Sequence, residues 1–502
     1  MMPSSRRAFL RTAGMAGAAL ALGPRLGRAE AAAQTRRPPN VVIIFMDDMG
    51  FADPGGYGGG PGLTPNIDGL ARDGMRFTDF QVAQAVCSAS RAALLTGCYS
   101  NRVGVLGALG PNEPTGLDPD EDTIADMLKR RGYACGAFGK WHLGDHQPYL
   151  PLQQGFDEYY GLPYSNDMWP VDYDGTPIEQ GKAQKSTPGN PHRPYYVPLF
   201  LIDGNEKVTA IKDFADQDTL TTRYTERAVK FIDAHHEQPF FLYLAHSMVH
   251  VPLGVSAKFR GKSGKGLYAD MMMEIDWSVG DVLAALKRHA LENDTIVIFT
   301  SDNGPWLNFG NHSGSAGPLR EGKGTMWEGG SRVPAIVRWP GHVPAGTVCR
   351  NLASTIDILP TLAEITGATP PSRRIDGVSL MPLLRGEANA NPRQTYWLYY
   401  GDTLTAVREG KWKLQLPHDA RTYEGYAPGR DGIPGDTGTK HVQLALYDLD
   451  ADLGEQKNLL GEHPDVVERL QKIVAAARAD LGDTGHPGPG VRPPRKVPAP
   501  GR

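Results

Sequence analysis

The feature that most constrains this 502-residue chain recurs four times: a short apolar run ends, and a reactive side chain follows within a few residues. Val41–Met46 (VVIIFM) is unbroken and apolar, as a strand buried on both faces of a parallel sheet must be, and Asp47 and Asp48 follow directly. Tyr133–Phe138 is a weaker strand, with Lys140 and His142 beyond it. Phe240–Ala245 (FFLYLA) leads to His246 and His250, and Ile296–Phe299 (IVIF) leads to Asp302 and Asn303. Helical periodicity fills the intervals. Asp120 is placed to cap a helix over 121–131 that Gly132 stops, and Leu220, Tyr224, Ala228 and Phe231 form one apolar stripe, as do Val279, Leu283 and Leu286. The pattern predicts an α/β fold, a large, mostly parallel mixed sheet flanked by helices. Ligands of such sheets bind at the carboxyl ends of the strands, so four reactive endings predict one composite site.

The chain exceeds one ordinary core. Residues 396–416 alternate well enough for two strands of a small antiparallel sheet, and Val466 to Leu481 reads as a helix packed on it. We therefore expect a catalytic domain over 32–385 and a smaller C-terminal domain of antiparallel sheet plus helix over 386–482. Residues 483–502, with six prolines and four basic residues, are expected to be disordered. Six more prolines between Trp169 and Pro198 mark a long loop, either a rim over the site or a plain insertion.

Composition narrows the function. Lysine and arginine number 52 against 56 acids, which excludes a nucleic-acid binder working through a basic field. Four cysteines, Cys87, Cys98, Cys135 and Cys349, are too few for a disulfide scaffold. At the front, SSRRAFLRT, the mildly apolar Ala13–Gly23 and small residues up to Ala31 have the form of an export signal. Arg6-Arg7 before Phe9-Leu10 resembles the twin-arginine type. Residues 1–31 are thus expected to be a twin-arginine signal peptide, with the twin-arginine export machinery as partner and a periplasmic or secreted destination. No other run reaches about 18 apolar residues, so no stable membrane association is expected.

Gln84–Gly97 (QAVCSASRAALLTG) places Cys87 at the start of a short helix, where free N–H groups favour an anion or thiolate. Arg91, one turn on, can face the same spot. Alone, the string fits a buried structural cysteine better. Asp47, Asp48, Asp302 and Asn303 are oxygen donors suited to a hard divalent cation, although either pair alone is ordinary turn chemistry. Lys323 sits in a glycine-flanked loop, Glu321-Gly322-Lys323-Gly324. His246 and His250, four apart, fit one helical face or a zinc pair.

The full cysteine string resembles that of type I sulfatases, whose cysteine in Cys-x-Pro-x-Arg is oxidised to formylglycine. Ala89 stands where proline is commonest, a departure that bears on which maturation enzyme acts. VVIIFMDDMGFADPGGYG, TPNIDGLARDGMRFTDF, GKWHLG, QGFDEYYGLPYSND, SDNG and LREGKGTMWEGGSRVP also resemble sulfatase segments, in the family's order. YDLDADLGEQKNL resembles part of the family's smaller domain.

The resemblance implies an arylsulfatase-like sulfuric ester hydrolase of the alkaline phosphatase-like clan. It implies one calcium ion, with magnesium the second choice, held by Asp47, Asp48, Asp302 and Asn303 beside the modified Cys87. In the implied mechanism Cys87, as formylglycine, is the nucleophile and Arg91 holds its diol. Lys140 and Lys323 bind the sulfate, and His142 bonds the nucleophile's hydroxyl and acts as base. His250, chosen over a structural His246 for its His-x-Pro string, protonates the leaving alcohol. The implied partners are a sulfated carbohydrate or aryl sulfate and a formylglycine-generating enzyme. Two other readings are a phosphatase or phosphonate hydrolase of the same clan and a non-catalytic sulfated-glycan binder. Zinc-and-histidine chemistry would mark the first, and a catalytic position filled by an incompetent residue would mark the second.

Overall fold

Alternation along the first strand organises the molecule. In the computed structural model, which describes residues 37–183 and 192–497, every residue of β1 (Asn40–Met46) is buried. Val41, Ile43 and Phe45 enter one hydrophobic cluster, while Val42, Ile44 and Met46 enter another, as the two-residue period of a strand requires. The helices Cys87–Thr96, Ile124–Lys129 and Ile358–Thr366 pack on the first face. Pro65–Asp73, Leu220–His235 and Leu267–Arg288 pack on the second. At about 1.5–3 kcal/mol for each large apolar side chain removed from water, these two layers dominate the stability of the chain.

The sheet that separates them has ten strands. Beside β1 these are β2 (Met75–Phe77), β4 (Ala134–Lys140), β5 (Glu158–Leu162), β6 (Leu199–Asp203), β7 (Glu206–Ile211), β8 (Phe240–Ala245), β9 (Thr295–Ser301), β10 (Ala335–Arg338) and β11 (Thr347–Cys349). A short pair, β3 (Phe80–Gln81) with β12 (Ala353–Ser354), lies outside it. The order is β11-β2-β10-β9-β1-β8-β4-β5-β6-β7. The five central strands, β9 to β5, are parallel, and antiparallel pairs flank them. All four predicted reactive endings belong to adjacent members of that parallel core.

A second, four-stranded antiparallel sheet follows, formed by β13 (Thr395–Tyr400), β14 (Thr403–Glu409), β15 (Trp412–Gln415) and β18 (Ala445–Asp448). The helix Pro464–Leu481 covers it with Val466, Leu470, Val474 and Ala477. A polar hairpin, β16 (His418–Thr422) and β17 (Gly438–Val442), projects between β15 and β18.

Three local expectations are corrected. Thr123, not Asp120, caps the helix before β4, through a reciprocal box with Asp126, so it begins at Ile124. Residues 396–416 hold three strands, because Gly410 turns the chain a second time. Residues 483–497, expected to be disordered, are held in place. Arg492 pairs with Glu121 at 2.6 Å, and the Val497 amide donates to the Pro114 carbonyl at 2.9 Å. Fixed polar partners thus anchor a segment whose composition alone promised none. The twin-arginine segment lies outside the described residues, as do 184–191 of the proline-rich loop. Among the described residues no helix is long and apolar enough to cross a membrane.

Candidate active site

Parallel pairing brings the four endings to one edge of the sheet. Asp47 and Asp48 leave β1, Asp302 and Asn303 leave its neighbour β9, and His250 lies beyond β8. Lys140 is the last residue of β4 rather than part of the loop after it. Cys87 is the first residue of a helix buried along its whole length. Asp48, His142 and Glu321 hold φ of 58°, 59° and 60°. Left-handed backbone at a non-glycine residue costs about 1–3 kcal/mol and concentrates at functional sites.

The charges alternate tightly. Lys140 Nζ lies 2.6 Å from Asp47 Oδ2 and donates to Ser165 Oγ at 3.1 Å. Lys323 Nζ lies 2.7 Å from Asp48 Oδ1 and 4.4 Å from the centre of the Trp306 ring. Arg91 Nη2 meets Asp302 Oδ2 at 2.8 Å and Asp47 Oδ2 at 3.5 Å. Cys87 Sγ is 3.6 Å from Asp47 Oδ1. Burial would raise the Asp47 carboxyl, but Lys140, His250, Arg91 and Lys323 hold it well below the usual range. Burial and the neighbouring Asp47 push Asp302 up to about 7. Burial pushes the Cys87 thiol up to about 12.

These donors fit a hard divalent cation. Asn303 Nδ2 donates to Asp48 Oδ1 at 2.7 Å, which leaves the buried Asn303 Oδ1 without a partner. One ligand atom from each of Asp47, Asp48, Cys87 and His250 lies within 4.8 Å of the others. Asp302 stands behind this group, with Oδ1 accepting the Asp48 amide at 3.2 Å and Oδ2 facing Arg91. Three carboxylates (Asp47, Asp48, Asp302) face three fixed cations (Arg91, Lys140, Lys323), so a divalent ion would leave the site positive and ready for an anion.

The histidines divide by their partners. His142 Nε2 lies 2.8 Å from the Leu109 carbonyl, which can only accept, so Nε2 carries the proton and the buried Nδ1 keeps a free lone pair. Burial, Lys140 and Arg91 keep that ring neutral. The Val251 carbonyl, 2.5 Å from Nδ1 of His250, fixes the proton there, and Nε2 faces Asp48 Oδ2 at 3.6 Å. His246 points away to Ser278 Oγ at 3.0 Å.

Cys87, His142, His250 and Lys323 line one cavity of about 240 Å³. Asp167, Trp306 and Arg421 are among the lining residues that sequence reasoning missed. Asp167 and Trp306 stand inside or beside motifs already quoted, so position was a usable signal. Arg421 lies on the polar hairpin and carried none.

The comparisons agree with this geometry. The sulfatase family model matches residues 39–368, and the model for the C-terminal region of aryl-sulfatase matches 391–486. Arylsulfatase A of Homo sapiens is 40% identical over 456 residues, covering 87% of each chain. N-acetylgalactosamine-6-sulfatase of Mus musculus is 37% identical over 475 residues, covering 90% of this chain and 88% of its own. The crystal structure of a sulfatase from Pseudoalteromonas sp. superposes with a TM-score of 0.76 at 29% identity, covering 90% and 92% of the two chains. With its reactive strand endings gathered around one cysteine, the chain belongs to the sulfatase family and is a sulfuric ester hydrolase.

Proposed function

We propose that the chain hydrolyses the sulfate ester of a sugar or aryl alcohol at Cys87, with calcium held by Asp47, Asp48, Asp302 and Asn303. Formylglycine at position 87 supplies geminal hydroxyls, one to attack sulfur and one to expel sulfate. The cation, when bound, polarises the sulfate oxygens as a Lewis acid. Lys140 and Lys323, each fixed on a carboxylate, supply positive charge for the remaining sulfate oxygens without having to reorganise. Arg91 holds the nucleophile's side of the site. His250 delivers a proton to the departing alcohol. Burial and Lys323 hold its ring below the ordinary value, and the negative charge of an arriving sulfate favours the protonated form. His142 offers its Nδ1 lone pair as the base that returns the nucleophile. The relatives' names support both alcohols, an aryl one in arylsulfatase A and a sugar in N-acetylgalactosamine-6-sulfatase.

The observation that carries this reading is the convergence of three carboxylates and three cations on a helix-start cysteine whose cavity two histidines also line. Among the described residues the grouped metal donors are two carboxylates, the Cys87 sulfur and a single histidine, which favours sulfate chemistry over a histidine-rich two-zinc phosphatase. The test is mass spectrometry of the peptide containing Cys87, expected about 18 Da lighter than the thiol form, beside turnover of matched aryl sulfate and phosphate. Cys87→Ala should abolish sulfate release, and an active unmodified thiol would sink the mechanism. For export, Lys-Lys in place of Arg6-Arg7 should leave the protein in the cytoplasm, and unimpaired export would refute the twin-arginine route.

A further inference from the structure

A larger cavity, of about 460 Å³, opens beside the catalytic one and shares Gly324, Tyr400 and Arg421 with it. It falls within the range of about 300–1,000 Å³ that small-molecule sites occupy. Its wall is polar: five threonines, Thr325, Thr403, Thr405, Thr437 and Thr439, line it with His418 and Asp419, and the Asp419 carboxylate is already engaged by His441 at 2.8 Å. Such a lining suits a hydroxyl-rich ligand. Arg421 stands at the junction of the two spaces. Its side chain is exposed, and its electrostatic neighbours are the phenols of Tyr423 and Tyr400, with no carboxylate among them. Lys323, the other cation lining the catalytic cavity, and Arg91 and Lys140 beneath it are each paired with an aspartate.

The position of Arg421 is built. Glu321 accepts from Thr422 Oγ1 at 2.6 Å and from the Tyr423 amide at 2.9 Å. The Tyr423 hydroxyl donates to the Lys323 carbonyl at 2.6 Å. The hairpin is thereby registered on the loop that carries Lys323, with Arg421 against Gly324 of that loop. Gly324, at φ 84°, makes room: a Cβ there would sit 2.8 Å from Arg421 Nη1.

We propose that Arg421 is a specificity-determining residue that binds a second anionic group, a carboxylate or a further sulfate, carried by the sugar portion of the substrate in this polar cavity. The inference rests on the sulfatase reading and adds the substrate class: oligoanionic sulfated glycans rather than isolated monosulfates. A guanidinium matches either oxyanion with two parallel N–H bonds.

The test compares kcat/KM for three sulfated disaccharides whose neighbouring residue is neutral, a uronate, or itself sulfated. In the wild type, at least one anionic disaccharide should exceed the neutral one. Arg421→Gln should lower that ratio by about 10- to 100-fold, chiefly through KM. Arg421→Glu should invert it. A melting temperature close to that of the wild type checks folding, which substitution of an exposed side chain should leave intact. The arm that loses its advantage identifies the anion. An unchanged ratio, or equal loss on neutral and anionic substrates, overturns the proposal. Wild-type protein that releases sulfate from an aryl sulfate but from none of the three disaccharides would also overturn the proposal, and release from neither kind of ester would instead overturn the reading of the catalytic site on which it rests.

Discussion

At the scale of the residue, the site shows two uses of buried histidine. His142 and His250 each have one ring nitrogen committed to a carbonyl and the other turned toward the reacting space. His246 is structural, buried against Ser278, and burial lowers its pKa to about 3. Because the folded value lies below the unfolded one of about 6.5, the unfolded chain takes up a proton that the folded chain refuses. Its contribution is fully present above pH 6.5 or so and is lost as pH falls toward 3, by up to about 1.4 kcal/mol per pH unit. His246→Gln should therefore flatten the acid limb of stability against pH, as read by denaturant titrations between about pH 6.5 and 4. An acid limb of unaltered slope would assign that loss to other groups.

At the scale of the element, β4 shows how backbone delivers a side chain. Gly139 lies at φ 117°, paired with Ala245 of β8 and Gly161 of β5, and a Cβ on it would fall 1.8 Å from the Ala245 carbonyl oxygen. No rotamer relieves a clash with backbone, so Gly139→Ala should cost about 3 kcal/mol or more and displace Lys140. Both a lower melting temperature and a loss of turnover are expected, and a variant with normal stability and rate would contradict this account of the strand. The same scale shows what a sequence exposes. Strands buried on both faces are legible as uninterrupted apolar runs, and the reactive residues just past them identify themselves. The hairpin β16–β17 reads HDART and GTKHV, with no alternation to mark it, because one side lines a polar cavity. The helix before β4 was misplaced because Asp120 and Thr123 are both competent caps, and the reciprocal bond with Asp126 decides between them.

At the scale of the whole molecule, the two sheets are joined by buried charge. Lys413 of β15 lies 3.1 Å from Glu328 and 2.8 Å from Glu455, and Arg408 of β14 meets Asp79 at 2.7 Å. Arg332 also bonds Glu328, at 2.6 Å. Burial would raise the Glu328 carboxyl, but Lys413, Arg332 and Arg408 hold it well below its ordinary value. Lys413→Met leaves Glu455 buried without its cation, at a cost of about 3–5 kcal/mol. The denaturation midpoint should drop accordingly, and adding Glu455→Gln should recover part of the loss. A single variant as stable as wild type would mean that the network is not under electrostatic load. This joint was not legible, because each charge reads in sequence as an ordinary solvated residue and only the fold reveals that water is excluded.

The burial of the cysteine helix also sets an order of events. Cys87 is 2% exposed, and its ten-residue helix is buried throughout. An oxidising enzyme must take the thiol into its own active site, and the finished protein does not offer it. If Cys87 is converted as proposed, the enzyme has to catch the polypeptide while residues around 87 are still extended. A twin-arginine route accepts only cargo that has already collapsed. For both proposals to hold, the calendar is oxidise, fold, cross, and the maturation enzyme must work on the cytoplasmic side, on chains newly released from the ribosome.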